Sequence, residues 1–162
     1  MMIRNVISED AAKITEIYNT YVLNSTISFE EKAVSELDIL KRIQKVKEQG
    51  FPWIVSDHKE ELIGYAYATK WRERLAYQRT VETTIYLQRN SFGKGFGKAL
   101  YSRLLEILKD QEYHSAIGVI ALPNPSSIHI HEKLGFSKAA HLREVGFKMG
   151  QWIDVGYWEK IL

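Results

Sequence analysis

The stretch from Val81 to Leu100 reads VETTIYLQRNSFGKGFGKAL, and it decides how the rest of the chain is interpreted. Its residues up to Leu87 are mostly β-branched or aromatic, which is typical of a β-strand. Glycines follow at positions 93, 95 and 97, and the chain then continues with apolar residues at helical spacing. A strand that leads through a glycine-rich loop to a helix N-terminus directs several backbone N–H groups toward one point. The stretch therefore predicts an anion-binding site.

Two familiar phosphate-binding loops do not fit these glycines. A P-loop requires Ser or Thr where Ala99 stands and Gly where Phe92 stands. The dinucleotide fingerprint G-x-G-x-x-G requires its last glycine at Leu100 or at Lys98, depending on where the count begins. A glycine-rich turn that binds no ligand remains an alternative interpretation of the loop.

Composition and charge limit the classes of protein to be considered. A chain of 162 residues is long enough for one domain with a buried core, and 45% hydrophobic with 26% charged residues is typical of a globular protein. No run approaches the roughly 18 apolar residues of a membrane span, and the first residues show no signal-peptide pattern. Cysteine is absent and the net charge is only +2. We therefore expect a cytoplasmic protein without membrane or nucleic-acid partners.

The pattern of apolar residues predicts eleven helices and strands in the order β-α-α-β-β-β-α-β-α-β-β. This order predicts a single α/β domain, residues 1–162, with a mixed sheet. The predicted strands are 3–7, 51–56, 62–71, 81–87, 115–122 and two terminal strands around 141–147 and 151–158. The predicted helices follow Ser8 or Asp10, the capping residue Ser35 and the glycine loop, with a short helix at 126–134.

Two local details follow from the same patterns. Ser35 and Asp38 form a capping-box pattern at the start of the second helix. The buried face of that helix is predicted from helical spacing to contain Leu37, Leu40, Ile43 and Val46. The charged stretch 57–61 separates two strand patterns and predicts the turn of a β-hairpin.

The segment from Phe92 to Gly97 resembles the pyrophosphate loop of the GNAT N-acetyltransferases, Q/R-x-x-G-x-G/A, with Phe92 where the family usually has Gln or Arg. A second signature, Asn124-x-x-Ser127-x-x-x-His131-x-x-x-Gly135-Phe136, resembles the family's Asn after the fifth strand and the helix that closes over the thioester. His131 stands where Tyr is more usual. The resemblance implies the GNAT fold, with a mixed, mostly antiparallel central sheet flanked by helices.

The resemblance also implies acetyl-CoA as the cosubstrate. In this family the strand before the loop binds the pantetheine arm and the loop amides bind the diphosphate. The implied acetyl-CoA contacts are Ile85, Tyr86, Leu87, Gly93, Lys94, Gly95, Phe96, Gly97, Lys98 and Asn124. No metal is expected, because His129 and His131 are two positions apart and face different sides of a helix.

Further blocks narrow the resemblance to the phosphinothricin N-acetyltransferases and the methionine sulfoximine/methionine sulfone acetyltransferases. These blocks are Trp71, Ala76-Tyr77, Thr80-x-Glu82-x-Thr84-x-Tyr86, Leu122-Pro123-Asn124, Gly146-Phe147-Lys148 and Trp152-x-Asp154-Val155-Gly156. This group implies a small acidic amino-acid analogue as the substrate and a homodimer as the assembly. The implied substrate contacts are Phe29, Arg72, Arg74, Tyr77, Glu82, Thr84 and Val155.

Acetyl transfer to an amine requires an unprotonated nitrogen, so a carboxylate that takes the proton is expected near the thioester. Glu82 matches the glutamate of this group and is the predicted general base. The alternative interpretation of Glu82 is an exposed carboxylate in a solvated ion pair. His131 is predicted to support the departing thiolate or to position the substrate, and its alternative is a packing role. Arg72 and Arg74 suit carboxylate and phosphinate groups, unless they simply belong to a solvated basic loop.

The leading hypothesis is therefore acetyl-CoA-dependent N-acetylation of an amino-acid analogue by direct attack in a ternary complex. Acetylation of another amine, such as another L-amino acid, a polyamine or a protein N-terminus, remains open. The basic loop 70–79 argues against a polyamine. A CoA-binding module without turnover is the alternative from another class, and Phe92 is the residue that favours it.

Overall fold

The computed structural model describes all 162 residues as a seven-stranded sheet flanked by helices. The helices and strands follow the order predicted from the sequence. In chain order they are β1 (Met2–Asn5), α1 (Ala11–Asn24), α2 (Glu36–Glu48), β2 (Trp53–His58), β3 (Glu61–Lys70), β4 (Thr80–Leu87), α3 (Phe96–Asp110), β5 (Ser115–Ala121), α4 (Pro125–Lys133), β6 (Ser137–Lys148) and β7 (Gln151–Ile161). None of the helices is both long and apolar enough to cross a bilayer.

The central feature of the sheet is the meeting of β4 and β5. The strand order is β1-β2-β3-β4-β5-β7-β6, and only β4 and β5 run parallel to each other. Their pairing begins at Thr80 with Ser115 and ends at Thr83 with Gly118, although both strands continue beyond these residues. The two strands therefore diverge after Thr83 and Gly118 and leave a gap in the sheet. The expectation of a mixed, mostly antiparallel sheet is confirmed.

Two apolar cores lie on opposite faces of this sheet. One contains buried residues of α1 and α2, including Ile14 and Ile43, and the other contains buried residues of α3, including Leu104. Alternate residues of a strand point to opposite faces. On β4, Val81 packs in the core of α3 and Tyr86 packs against the core of α1 and α2. Even-numbered residues of β4 therefore face the side of α1 and α2.

The side of α1 and α2 is not covered over its whole width. The helices α1 and α2 pack mainly on β2, β3 and β4. On the same face of the neighbouring strands, Val119 of β5 is 37% exposed and Leu142 of β6 is 42% exposed. This arrangement leaves an open surface beside the covered half, and β4 lies at the boundary between the two.

The start of α2 confirms the capping box, but its buried face differs from the prediction. Ser35 Oγ accepts a hydrogen bond from the Asp38 amide at 3.1 Å, and Asp38 Oδ2 accepts from the Ser35 amide at 3.0 Å. The buried residues are Ile39, Ile43 and Val46. The prediction was wrong for Leu37, which is 58% exposed. Leu37 fits the helical spacing, but the face that packs on the sheet contains Ile39 instead.

The turn between β2 and β3 is shorter than predicted. The strands extend to His58 and begin again at Glu61, so the turn consists of Lys59 and Glu60 instead of residues 57–61. Both turn residues have positive φ, 52° and 65°. Two-residue hairpin turns with this backbone normally carry Gly or Asn, and that sequence signal is missing here.

Candidate active site

The glycine loop joins β4 to α3 and presents unpaired backbone donors. Gly93 and Gly95 have φ values of 74° and 82°, in the left-handed region that favours glycine. A Cβ at either position would meet no atom within 4 Å, so the space beside the loop is open. No backbone N–H group from 93 to 98 donates to another backbone group of the chain. Together with the first turn of α3, these donors form a site suited to a diphosphate.

Gly97 serves a different purpose from the two glycines before it. Gly97 lies inside α3, and a Cβ there would come within 2.8 Å of Leu87 Cδ1 and 3.1 Å of Ile130 Cδ1. Its missing side chain allows β4, α3 and α4 to approach closely. Lys94 and Lys98 are exposed beside the loop, and the side chain of Phe92 is 44% exposed.

The residues expected to contact the pantetheine arm offer their backbone and not their side chains. Ile85 and Leu87 pack in the core of α3. The ring of Tyr86 packs against Tyr18 and Tyr21, with centroid distances of 5.3 and 5.0 Å. The edge of β4 that faces the gap has no strand partner after Thr83. An extended ligand in the gap would therefore pair with main-chain groups of 85–87.

Glu82 lies on β4 immediately before the gap and faces the side of α1 and α2. Its strand neighbours are Thr69 on β3 and Ile117 on β5. The side chain is half-buried and has no ion-pair partner within 4 Å. Burial raises the pKa of the Glu82 carboxyl above its usual value, and the positive charge of Arg72 opposes this effect. The alternative of an exposed carboxylate in a solvated ion pair is thereby contradicted.

The loop after β3 brings Arg72 toward Glu82. The guanidinium of Arg72 lies over the ring of Trp71 at 4.9 Å. The Trp71 ring in turn meets Tyr157 of β7 edge-on at 5.8 Å, so the loop docks on the open half of the sheet. Arg74 and Tyr77 are exposed further along the loop, and Arg74 has no carboxylate partner.

Thr84 lies on the same face as Glu82, and its β3 neighbour, Tyr67, is not among the site residues predicted from the sequence. Tyr67 pairs with Thr84 across the two strands, and its ring stacks on Trp53 at 4.2 Å. Burial raises the pKa of the Tyr67 hydroxyl. The indole N–H of Trp53 is buried without a partner. The alternation of Tyr65 and Tyr67 in the sequence indicates a shared face, but only the register with β4 places that face beside Glu82.

His131 is buried, with only 3% of its surface exposed, and both ring nitrogens have partners inside the protein. Nδ1 lies 2.7 Å from the Ser127 carbonyl oxygen, which identifies Nδ1–H as the donor. Nε2 lies 2.9 Å from the Tyr101 hydroxyl and accepts its hydrogen bond. The Tyr101 hydroxyl also lies 2.7 Å from Thr83 Oγ1. Burial lowers the pKa of His131, which favours the neutral ring.

This hydrogen-bonded chain connects α4 to the point where β4 and β5 diverge. Thr83 is the last β4 residue paired with β5, and a Cβ on its partner Gly118 would overlap the His131 ring. His131 therefore lies against Gly118 and is connected through Tyr101 to Thr83. Neither Tyr101 nor Thr83 is among the site residues predicted from the sequence. Tyr101 has the helical spacing of a core residue, and nothing in the sequence distinguishes its hydroxyl.

The remaining predicted residues, Phe29, Val155 and Asn124, lie on the loop between α1 and α2, on β7 and at the start of α4. Phe29 belongs to the loop between α1 and α2, is 45% exposed and packs on Gly146 of β6. Val155 of β7 is buried opposite Ala121, the last residue of β5. Asn124 caps α4, because its Oδ1 accepts a hydrogen bond from the Ser127 amide at 3.2 Å. No group of three or more His, Cys, Asp or Glu side chains is arranged to hold a metal ion.

Comparisons with known proteins agree with this architecture. Residues 3–156 match the family model of the acetyltransferase (GNAT) domain. The chain is 34% identical over 158 residues to the phosphinothricin N-acetyltransferase of Streptomyces viridochromogenes, covering 98% of this chain and 86% of that protein. It is 33% identical over 157 residues to the L-methionine sulfoximine/L-methionine sulfone acetyltransferase of Salmonella typhimurium, covering 97% and 92%.

A solved structure shows the same fold with its cosubstrate. The phosphinothricin acetyltransferase (Pat) from Sinorhizobium meliloti, in complex with acetyl-CoA, matches with a TM-score of 0.95 and 38% identity, covering 99% of this chain and 88% of that chain. The chain therefore belongs to the GNAT acetyltransferase family. Within it, the chain is an acetyl-CoA-dependent N-acetyltransferase, close to the phosphinothricin and methionine sulfoximine group.

Proposed function

We propose that this enzyme transfers the acetyl group of acetyl-CoA to the amino group of a small acidic amino-acid analogue of the phosphinothricin, methionine sulfoximine or methionine sulfone type. Attack is direct, in a ternary complex. The observation that carries this proposal is the half-buried Glu82, which lies beside the gap of β4 and β5 and has a pKa raised by burial and opposed by the charge of Arg72. The similarity to the acetyltransferases of Streptomyces and Salmonella supports the substrate class.

In this proposal the general base is Glu82. An α-ammonium group must lose a proton before its nitrogen can attack, and a carboxylate with a raised pKa accepts that proton more readily. The proton goes from the amine to Glu82, directly or through one water. Backbone N–H groups of β4 beyond Thr83 are the proposed donors to the carbonyl oxygen, which gains negative charge as the amine attacks.

Acetyl-CoA supplies the acetyl group, and two parts of the chain are proposed to hold it. The unpaired amides from Gly93 to Lys98 bind the diphosphate, and the backbone of 85–87 aligns the pantetheine arm. Asn124 lies at the start of α4 on the far side of the gap. When the tetrahedral intermediate collapses, the carbon–sulfur bond breaks and CoA leaves as the thiolate. His131 is proposed to support this thiolate through Tyr101 and Thr83, because its own ring nitrogens are occupied.

The acidic groups of the substrate are proposed to meet the arginines of the loop after β3. Arg72 stands near Glu82, and Arg74 has no carboxylate partner in the chain. A guanidinium fork suits both a carboxylate and a phosphinate. Tyr77 and Thr84 are proposed to complete the substrate contacts, with Phe29 and Val155 as walls of the pocket.

A substrate panel tests this function. The purified protein is mixed with acetyl-CoA and one amine at a time, and free CoA is detected. The amines are phosphinothricin, methionine sulfoximine, methionine sulfone, the common L-amino acids, spermidine and a peptide with a free N-terminus. We expect the highest kcat/KM for the first three. Acetyl-CoA binding without CoA release for any amine would indicate a CoA-binding module, and preferred turnover of spermidine or the peptide would overturn the substrate class.

Arg74→Ala tests the recognition of the acidic group. Loss of a charge-assisted hydrogen bond costs about 1.5 to 3 kcal/mol, so the KM for the acidic amine should rise about tenfold or more while the KM for acetyl-CoA stays unchanged. Steady-state kinetics with each substrate varied in turn provide the measurement. Arg103→Ala, an exposed arginine on α3, is the matched control. An unchanged amine KM in Arg74→Ala would exclude Arg74 from substrate binding.

We also propose that the enzyme is a homodimer that associates through the β6–β7 hairpin. This hairpin exposes four large apolar side chains: Leu142 (42%), Val145 (55%), Phe147 (56%) and Trp152 (63%). Phe147 and Trp152 pack against each other with a ring centroid distance of 5.0 Å, and an exposed apolar cluster on a globular protein often marks an interface. In addition, β6 is an edge strand with unpaired backbone groups along its outer side.

A further inference from the structure

Lys148, the last residue of β6, is buried to an unusual degree for a lysine, with 3% of its surface exposed. Its ammonium group donates to the carbonyl oxygens of Val22 and Ser28, each at 2.7 Å. No carboxylate lies within ion-pair distance. Burial lowers the pKa of Lys148, and the negative charges of Glu30 and Glu31 oppose this effect. A buried ammonium is costly, so a specific arrangement must compensate for it.

The two carbonyl groups lie far from Lys148 in sequence but close to the active-site gap. Val22 belongs to the last turn of α1. The preceding residue, Tyr21, donates its hydroxyl to the carbonyl of Leu87 at the end of β4. The C-terminal end of α1 is therefore attached to the β4 side of the gap. Carbonyls in the last turn of a helix lack intrahelical partners, and Lys148 provides one for Val22.

The hairpin that carries Lys148 lies on the opposite side of the gap. Pairing between β5 and β7 ends at Ala121 with Val155, whereas β6 and β7 remain paired as far as Lys148 with Gln151. The tip of the hairpin therefore extends beyond the end of β5. The bonds from Lys148 to α1 and to the following loop join this tip to the β4 side, so the open end of the gap is bridged.

The same contact fixes the loop that carries Phe29. Ser28, whose carbonyl accepts from Lys148, also places its hydroxyl 2.9 Å from the Tyr18 hydroxyl. Phe29 comes next, and its ring lies against the backbone of Gly146, where a Cβ would overlap it. Two positions of one hairpin thus hold this loop, Lys148 through the Ser28 carbonyl and Gly146 through the Phe29 ring.

We propose that Lys148 is a positioning residue for the amine substrate. The ammonium group of Lys148 fastens the loop between α1 and α2 to the β6–β7 hairpin, and this contact fixes the position of Phe29 at the wall of the pocket. This inference rests on the proposed function, in which Phe29 and Val155 line that pocket. Lys148 itself does not touch the substrate. It sets the separation between a wall carried by the loop and a wall carried by β7.

Lys148→Met tests the proposal, because methionine has a similar length but cannot donate hydrogen bonds. We expect the amine KM to rise about tenfold, with kcat within about twofold of wild type and the acetyl-CoA KM unchanged. Lys138→Met, an exposed lysine of the same strand, is the control and should match wild type. The effect of Lys148→Met on the amine KM should largely disappear in a Phe29→Ala background, because both changes act through the same wall.

Hydrogen exchange of the amides from 25 to 31 provides a readout that does not require activity. We expect faster exchange in Lys148→Met and no change in Lys138→Met. Unchanged exchange in Lys148→Met would overturn the proposal, whether or not the enzyme acetylates the tested amines. An unchanged amine KM in an active enzyme would also overturn it, as would full additivity with Phe29→Ala. Absence of turnover in the wild-type protein would instead count against the proposed function.

Discussion

At the scale of single residues, the environment of Glu82 decides what its carboxylate can do. Removal of water by the surrounding sheet disfavours the charged form and raises the pKa, whereas Arg72 favours the charged form. Burial lowers the pKa of His131 and so favours its neutral ring, and the hydrogen bond to the Ser127 carbonyl opposes this effect. The two titratable groups beside the gap thus differ from their ordinary states for identifiable physical reasons.

Glu82→Gln should lower kcat by about a hundredfold or more, because the amide cannot accept the amine proton. The Kd for acetyl-CoA, measured by calorimetry, should stay unchanged. A carboxyl with a raised pKa destabilises the folded state at neutral pH, so the substitution should not lower the free energy of unfolding. Glu106→Gln on α3 is the exposed control. Wild-type kcat in Glu82→Gln would remove Glu82 from the role of base.

The pH dependence of kcat/KM tests the same residue through Arg72. The base acts when deprotonated, so activity should fall as the pH falls through the pKa of Glu82, at a higher pH than for an ordinary glutamate. Arg72 lowers this pKa, so Arg72→Ala should move the acidic limb of the profile to higher pH. An acidic limb that keeps its position in Arg72→Ala would contradict the coupling between the two side chains.

At the scale of secondary structure, the segment from β4 to α3 combines two uses of glycine. Gly93 and Gly95 allow a backbone with positive φ beside open space, and Gly97 allows β4, α3 and α4 to pack closely. The first use serves the anion site and the second serves the fold. A substitution at Gly95 therefore affects the loop without a steric clash.

Gly95→Ala should weaken acetyl-CoA binding by about tenfold, because the N–H groups of the loop no longer converge. It should also destabilise the fold by about 1 kcal/mol, since a Cβ disfavours positive φ. Gly50→Ala is the matched control, because Gly50 has a φ of 78° and equally open surroundings but lies far along the chain from the loop. Both variants should show the stability loss in urea denaturation. Only Gly95→Ala should change the Kd, and equal Kd values would contradict the proposed diphosphate site.

At the scale of the whole molecule, the helices cover the sheet unevenly. The side that carries Glu82 is covered over β2 to β4 and left open over β5 to β6. The open half holds the docking site of the loop with Arg72 and the exposed Leu142, whereas Phe147 and Trp152 at the hairpin tip face the opposite side of the sheet. The proposed dimer contact and the proposed active site therefore share the β6–β7 hairpin.

Phe147→Asp should convert the proposed dimer to a monomer, because a carboxylate would be buried without a partner in the interface. Sedimentation equilibrium of the variant and the wild type provides the measurement. Leu23→Asp replaces an exposed apolar residue of α1 and is the control. A wild-type monomer, or a Phe147→Asp variant that remains dimeric, would contradict the proposed interface.

Features that depend on neighbouring residues could be predicted from the sequence, whereas features that depend on distant contacts or on an unusual backbone could not. The order of the helices and strands, the capping box of Ser35 and the position of the glycine loop between β4 and α3 were predicted correctly, because each depends on residues close together in the chain. The predicted buried face of α2 was wrong at Leu37, and the predicted turn between β2 and β3 contained too many residues. Both errors concern features that tertiary contacts or an unusual backbone decide. That residues 1–162 form one domain stays a prediction.

The sequence by itself determined the family, the cosubstrate and the loop proposed to hold its diphosphate, since these are written in short motifs. Only the tertiary structure decided the rest of the site. It showed that Glu82 is half-buried, that the nitrogens of His131 are occupied and that Lys148 fastens a loop 120 residues away. The physical reason is that burial and hydrogen bonding depend on which distant segments meet. Contacts between distant segments cannot be predicted from the spacing of residues within one strand or helix.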